Sequence, residues 1–296
     1  MSLLTNLNGV IAASATVSIL DRGFLYGDSI YEVVRTFQGR HFGLQEHLDR
    51  LRQSAAYLYM DVPWSDQHIQ SEVERTLQKA LWQESYIRIV VSRGTETKIT
   101  LQPSPHLQPN LLIVISEISP EPVLSENGLH LVISERRRND RQALSPAAKT
   151  GNYLNNILAL LEAQQQGAED ALMLNQQGEI TEATTSNLWI VREGVVQTPP
   201  AEVGILKGIT RHFLWRILQT HGIPCEEVIL KPEDLWSAEE AFLSSSVRLM
   251  MPVNQINEYQ LPQCPGKITR FLWEEFLKLM AKESRSFEQN TASLSI

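Results

Sequence analysis

The order in which strand-like and helix-like stretches follow one another constrains this chain most. Residues 29–37 (Ser-Ile-Tyr-Glu-Val-Val-Arg-Thr-Phe) read as a strand, closed by the turn Gln38-Gly39-Arg40. Leu44, Leu48, Leu51, Ala55 and Leu58 then recur at helical spacing, so 44–58 is expected to be an amphipathic helix. Pro63 separates it from a second helix over 66–82, with Ser65 as its cap. Strands over 85–92 and 110–116 flank a Pro-rich stretch, 102–109. Further along, strands are expected over 129–134, 169–174, 185–192, 225–230 and 239–243, with helices over 152–166, from near Gly208, and over 266–281. Strands cluster with helices without strict alternation. That pattern indicates an α+β fold rather than a doubly wound parallel sheet.

Residues 119–127 contain Pro120 and Pro122 and little apolar periodicity. They are expected to link a small domain, 1–118, to a larger one, 128–281, with a disordered polar tail over 282–296. The apolar fraction is 43% and the charged fraction 20%, as in ordinary soluble domains. A net charge of −8 argues against a nucleic-acid surface, which needs clustered Lys and Arg. The one basic cluster, Arg136-Arg137-Arg138 with Arg141, reads as a solvated loop; the sharper reading is an anion-attracting rim. Cys225 and Cys264 belong to no Cys-x-x-Cys pair, so neither a disulfide framework nor a metal site is indicated. The apolar run Leu111–Ile115 is far shorter than the roughly 20 residues a membrane span needs. No signal-peptide pattern opens the chain, and a cytoplasmic location is expected.

Some residues carry chemistry. Lys149 follows two alanines and precedes Thr150-Gly151-Asn152, with Asn152 expected to cap the next helix. A lysine so placed can form an imine with an aldehyde. Glu182 is expected at a strand end, followed by Ala-Thr-Thr-Ser-Asn, where a carboxylate can hold a pyridinium proton. Gly204 to Arg211 is a glycine-flanked loop entering a helix, and its N–H groups with the Thr210 hydroxyl suit an anion. Ser244-Ser245-Ser246 is a hydroxyl-rich loop, and Arg50 could clamp a phosphate with two N–H donors. Taken singly, each is more often a solvated side chain. His47, one turn before Arg50, reads as a packing residue.

Together these segments resemble the class IV (fold-type IV) aminotransferases that use pyridoxal 5'-phosphate (PLP). The resemblance runs from about Asp21 to Val253, with markers in the family's order: Asp-Arg-Gly-Phe-Leu-Tyr-Gly-Asp (21–28), Glu-His-Leu-Asp-Arg-Leu (46–51), Lys149 with Asn152-Tyr153, Glu182 with Ser186-Asn187, Gly-Ile-Thr-Arg (208–211), and the Ser-rich loop with Pro252-Val253. The resemblance implies a small α/β-sandwich domain, a larger barrel-like domain, and a homodimer or higher oligomer. Lys149 resembles the Schiff-base lysine and proton shuttle, and Glu182 the partner of the pyridine nitrogen. Arg50, Ile209, Thr210 and Ser246 resemble phosphate ligands. Tyr153 resembles the tyrosine near the phenolic oxygen, and Ser186 and Asn187 are implied as further coenzyme contacts.

The implied reaction is ping-pong amino transfer between an amino acid and a 2-oxo acid such as 2-oxoglutarate. Tyr26, Tyr31, Tyr86 and Arg88 stand where branched-chain aminotransferases place pocket walls and a carboxylate-recognising arginine, with Val247 and Arg248 beside the Ser246 loop. Lys98-Ile99-Thr100 replaces the Arg-x-His of D-amino acid aminotransferases, which disfavours D-specificity. Arg248, an added cation, leaves room for an aminodeoxychorismate lyase. A PLP-binding scaffold without catalysis is the non-enzyme alternative, and intact Lys149 and Glu182 argue against it.

Overall fold

The computed structural model describes residues 3–120 and 122–292, with side chains as far as Glu283. The chain divides into two compact units. The first takes in Met1–Glu121, Ala148–Asn152 and the chain from Met280; the second takes in Pro122–Ala147 and Tyr153–Leu279. The fold is α+β.

In the first unit the elements are β1 (Leu3–Leu7), β2 (Val10–Ala12), α1 (Arg22–Tyr26), β3 (Ser29–Phe37), β4 (Arg40–His41), α2 (Leu44–Tyr57), α3 (Asp66–Ala80), β5 (Ser85–Ser92) and β6 (Asn110–Glu117). The strands form one antiparallel sheet in the order β2-β1-β6-β5-β3-β4. Strand side chains alternate between faces. Ile87, Ile89 and Val91 of β5 join Ile30 and Val34 of β3 in a core with Leu48 and Leu51 of α2 and Ile69 and Val73 of α3. Tyr31, Val33 and Arg35 stand opposite Val90, Arg88 and Tyr86 on the other parity of the two strands. Ser65 caps α3, its hydroxyl accepting from the His68 N–H at 3.1 Å.

The Lys149 stretch adds to this sheet. Tyr31 N–H donates to the Lys149 carbonyl at 3.0 Å and Gly151 N–H to the Ser29 carbonyl at 2.8 Å, with Thr150 bridged to Ile30. The sequence grouped 128–281 as one domain; this backbone pairing instead attaches Ala148–Asn152 to the first unit. Asn152 does not cap a helix. Its amide donates to the Gly27 carbonyl at 2.9 Å, and α4 (Leu154–Gln165) starts after Tyr153 without a side-chain cap.

The second unit continues with β7 (Leu129–Ile133), α4, β8 (Asp170–Leu174), β9 (Ile180–Ala183), β10 (Asn187–Arg192), β11 (Val195–Thr198), α5 (Ile209–Thr220), β12 (Cys225–Glu227), α6 (Pro232–Leu235), β13 (Glu240–Ser245), β14 (Leu249–Ile256), β15 (Tyr259–Gln260) and the start of α7 (Lys267–Ala292). Its nine-stranded sheet runs β12-β11-β10-β13-β14-β7-β8-β9, with β15 on β14. Leu131, Leu172, Leu188, Leu243 and Val253 fill its core. Strand β14 has no counterpart in the sequence reading because Pro252 interrupts it; a ladder irregularity follows at Val253/Gln255, the kind of place where sheets tolerate proline. Helix α7 continues past Lys282, where the sequence suggested a tail, and residues 293–296 of that stretch lie outside the described residues. Lys282, Glu283 and Arg285 are good helix formers, so propensity does not oppose the continuation. No described helix is long and apolar enough to cross a membrane.

Candidate active site

Two polar clusters hold the candidate residues, one in each unit. In the first, Glu32 lies on the same strand parity as Ile30 and Val34 and is fully buried. Its carboxylate accepts from Arg50 Nε and Nη2 and from His47 Nδ1, each at 2.7 Å. Burial pushes Glu32 up, but the Arg50 guanidinium and the donated N–H bonds outweigh it and hold the carboxyl at about 2. Burial also pushes His47 below its ordinary value. His47 is therefore neutral at pH 7 and contributes a hydrogen bond rather than a charge.

One turn after Arg50, Ser54 donates its hydroxyl to the Arg50 carbonyl at 3.0 Å and accepts the Lys149 N–H at 3.0 Å. Lys149 Nζ lies 4.5 Å from the centre of the buried Tyr31 ring, and Arg88 Cζ lies 3.9 Å from the same ring. Lys149, Arg50, Tyr31 and Arg88 are thus brought together, with Tyr86 on the Arg88 parity of β5. Gly151 permits this approach: a Cβ there would stand 2.3 Å from Ser29 Oγ. Tyr26 ends α1, whose first residue, Arg22, places Cζ 5.0 Å from the Tyr26 ring. Asp21 caps that helix, and Asp28 gathers Arg22 Nε and Arg93 Nε at 2.8 Å each.

In the second unit, Glu182 is buried on β9. Its Oε1 accepts from Arg138 Nη2 at 2.5 Å; its Oε2 accepts from Asn187 Nδ2 at 3.0 Å and from the Leu206 N–H at 3.1 Å. Asn187 Nδ2 also donates to the Leu206 carbonyl at 2.8 Å. That amide therefore ties Glu182 to the loop that opens α5, whose N-cap, Gly208, carries no side chain to occupy the first-turn N–H groups. Ile209 and Thr210 are in that first turn. Ser186 Oγ and Arg138 Nε are buried without a hydrogen-bond partner in this structure.

Ser246, Val247 and Arg248 form the turn between β13 and β14. Asn187 pairs with Ser244 in register, so this turn shares a sheet edge with the Thr184–Ser186 turn. Arg248 Nη2 lies 3.3 Å from the buried Asp170 carboxylate and 3.5 Å from Thr185 Oγ1, so its charge is answered within the fold. Tyr153 precedes α4.

Arg138 is a correction to the sequence reading. The basic run was expected to be solvated, and Arg136, paired with Glu162, is. Arg138 instead turns inward onto Glu182. Glu32 and Ser54 were also missed; Glu32 is the acid in a largely apolar strand run, and that was the available signal. A cavity of about 770 Å³ elsewhere in the first unit, lined by Arg40, Phe42, Gln70 and Glu74 among others, holds none of these residues.

The family model described as class IV amino-transferase matches residues 29–256. A Methanocaldococcus jannaschii protein assigned as a branched-chain-amino-acid aminotransferase is 35% identical over 287 residues, 95% of this chain and 97% of that protein. A D-alanine aminotransferase of Listeria monocytogenes serotype 4b is 33% identical over 285 residues, 94% of this chain and 96% of the relative. Among solved structures, the branched-chain aminotransferase of Thermoproteus uzoniensis with norvaline superposes with a TM-score of 0.87 at 30% identity, covering 94% of each chain. The branched-chain enzyme of Thermobaculum terrenum in its PLP form gives a TM-score of 0.84 at 25% identity, over 94% of this chain and 93% of that one.

Proposed function

The chain belongs to the class IV aminotransferases, and from that premise we propose a cytoplasmic, homodimeric, PLP-dependent transaminase that moves the amino group of a branched-chain or other aliphatic amino acid to a 2-oxo acid such as 2-oxoglutarate. The observation that carries this reading is the Glu182 cluster. A fixed carboxylate and the loop that leads into the uncapped start of α5 share one amide, that of Asn187. A coenzyme with a basic ring nitrogen and a dianionic phosphate needs that pair of features. The partnerless Ser186 Oγ and Arg138 Nε fit the same polar guest. When bound, PLP supplies an electron sink for the substrate's α-carbon.

Each residue then has a task. Glu182 accepts the ring N–H, held in place by Asn187 and the Leu206 amide. Thr210, the Ile209 N–H, Ser246 and Arg50 hold the phosphate, and Tyr153 and Ser186 contact the coenzyme. The Lys149 amine takes the proton from the substrate α-carbon as general base and, as general acid, would deliver it to the coenzyme rather than back to that carbon, as amino transfer requires. The Tyr31 ring, 4.5 Å from Nζ, limits where that amine can swing. Tyr26, Tyr31, Tyr86 and Val247 line an apolar side-chain site. Arg88 rests on Tyr31 and can leave it for the distal carboxylate of a glutamate-type substrate.

Arg248 gave the lyase reading its support, and its pairing with Asp170 weakens that support. The D-alanine aminotransferase relatives keep a D-specific reading in the test. Purified protein is offered L-leucine, L-glutamate, D-alanine and aminodeoxychorismate, scored for oxo acid or pyruvate. L-Leucine turnover with 2-oxoglutarate is expected; turnover of D-alanine alone would replace this reading. Borohydride should fix PLP on the Lys149 peptide, read by mass, and Lys149→Ala should remove both the label and turnover. The homodimer is supported by exposed apolar side chains at Ile19, Phe24, Ile99 and Leu101, and light scattering tests it.

A further inference from the structure

Glu32 is an unusual investment for a strand. It sits on the parity that feeds the α2 and α3 core, between Ile30 and Val34, with no exposure at all. A carboxylate in that position is costly unless its oxygens are answered by hydrogen-bond donors. Arg50 and His47 answer them. The two are three residues apart on α2, so both reach from one helix face. Arg50 presents its Nε and Nη2 edge, one N–H to each carboxylate oxygen, and His47 adds Nδ1 to Oε2.

The fork geometry matters more than the charge. A guanidinium carries five N–H donors in one plane. Binding two of them side by side fixes both the plane and the direction in which the rest point. A single ammonium-type contact would fix neither. On the other side of Arg50, its backbone is pinned through Ser54 to the Lys149 stretch.

We propose that Glu32 is a positioning residue, which sets the Arg50 guanidinium in the orientation that grips a phosphate ester, with the His47 hydrogen bond as its second prop. The proposal rests on the reading of Arg50 as a phosphate-binding residue given above. Its consequence is specific: losing Glu32 should cost the protein its preference for the phosphorylated form of the coenzyme, and leave recognition of the ring alone.

The test uses apoprotein and tryptophan fluorescence. Dissociation constants are measured for pyridoxal 5'-phosphate, for pyridoxal, and for inorganic phosphate, in the native protein and in Glu32→Gln, Glu32→Asp and Arg50→Lys. Glu32→Gln is expected to weaken pyridoxal 5'-phosphate and inorganic phosphate by about 10- to 100-fold, by analogy with the loss of an outer-shell partner at a metal site. Pyridoxal should move less than about twofold, so the ratio between the two vitamers falls. Glu32→Asp keeps the charge but shortens the reach, and its ratio should lie between the two. A purely structural Glu32 would weaken both vitamers alike or neither, and either result overturns the proposal. Should Glu32→Gln not fold, Glu32→Asp decides: a lowered ratio supports the proposal and a native ratio overturns it. Arg50→Lys separates the levels. If it leaves the ratio native, the reading of Arg50 falls and takes the proposal with it. If it lowers the ratio while neither Glu32 variant does, the positioning role alone is refuted.

Discussion

Gly208→Ala tests the Glu182 anchor at its tightest point. Gly208 has φ −64° and ψ 139°, a conformation open to any residue, so the backbone raises no objection. Alanine would even gain about 0.4–1 kcal/mol by restricting the unfolded chain. The contact decides the sign. A Cβ at Gly208 would stand 2.0 Å from Asn187 Oδ1 and 3.2 Å from its Cγ, so the amide must leave. It takes with it the bond to Glu182 and the bond to the Leu206 carbonyl. The first, to a charged acceptor, is worth about 1.5–3 kcal/mol and the second about 0.5–1.5 kcal/mol. After the alanine gain, a net loss of about 2–3 kcal/mol remains. The assay is a double-mutant cycle by urea unfolding of the apoprotein, with Asn187→Ala as the second change. Asn187→Ala removes the same two bonds and the obstacle, so adding Gly208→Ala to it should cost almost nothing, for a coupling of about 2 kcal/mol. If Gly208→Ala costs as much without Asn187 as with it, the reasoning fails.

Three further outcomes follow from the same geometry. Glu32 sits at about 2 against an ordinary 4.5, so its contribution is complete above pH 4.5 and disappears as pH falls toward 2, about 3 kcal/mol in all; acid unfolding of Glu32→Gln should lack that part of the slope, and parallel curves would count against it. Arg138→Met should destabilise the protein by about 3–5 kcal/mol, because it strands the buried Glu182, whereas Arg136→Met, at a half-exposed pair, should change it by less than about 1 kcal/mol; equal effects in thermal melts would mean Arg138 is not buried as described. Gly266→Ala should cost roughly 3 kcal/mol, since its Cβ would lie 1.9 Å from Glu240 Cδ and drive that carboxylate off the Ile268 and Thr269 amides at the start of α7; a urea midpoint matching the native protein would contradict this.

Much of the secondary structure could be read from local pattern. β3 and β5 are β-branched runs closed by turn residues, and both take the expected bounds. Ser65 and Gly208 mark helix starts because capping is decided within a few residues. What failed depended on partners distant in sequence. Asn152 is a good cap by type, yet its amide finds the Gly27 carbonyl. Arg138 sits in a run that looks solvated, and only the arrival of β9 turns it inward. β14 is masked by Pro252, which β-propensity rejects and the sheet accommodates. At the candidate site, the groups proposed to react were visible as residue types in order. Their supports were harder to see: Ser54 and Arg138 carry no local signature of burial, and Glu32 offers only its charge within a largely apolar strand run.

The pairing of residues 149–151 with β3 has a consequence for the order of synthesis. The first sheet is not complete when β6, the last of its six strands in chain order, leaves the ribosome. Until Thr150 emerges, the Tyr31 amide and Ser29 carbonyl face outward as a raw margin, ready to zip with a neighbouring nascent chain. The amine-bearing strip therefore also works as a seal, and a shortened gene ending before it would yield a sticky fragment rather than a smaller working protein.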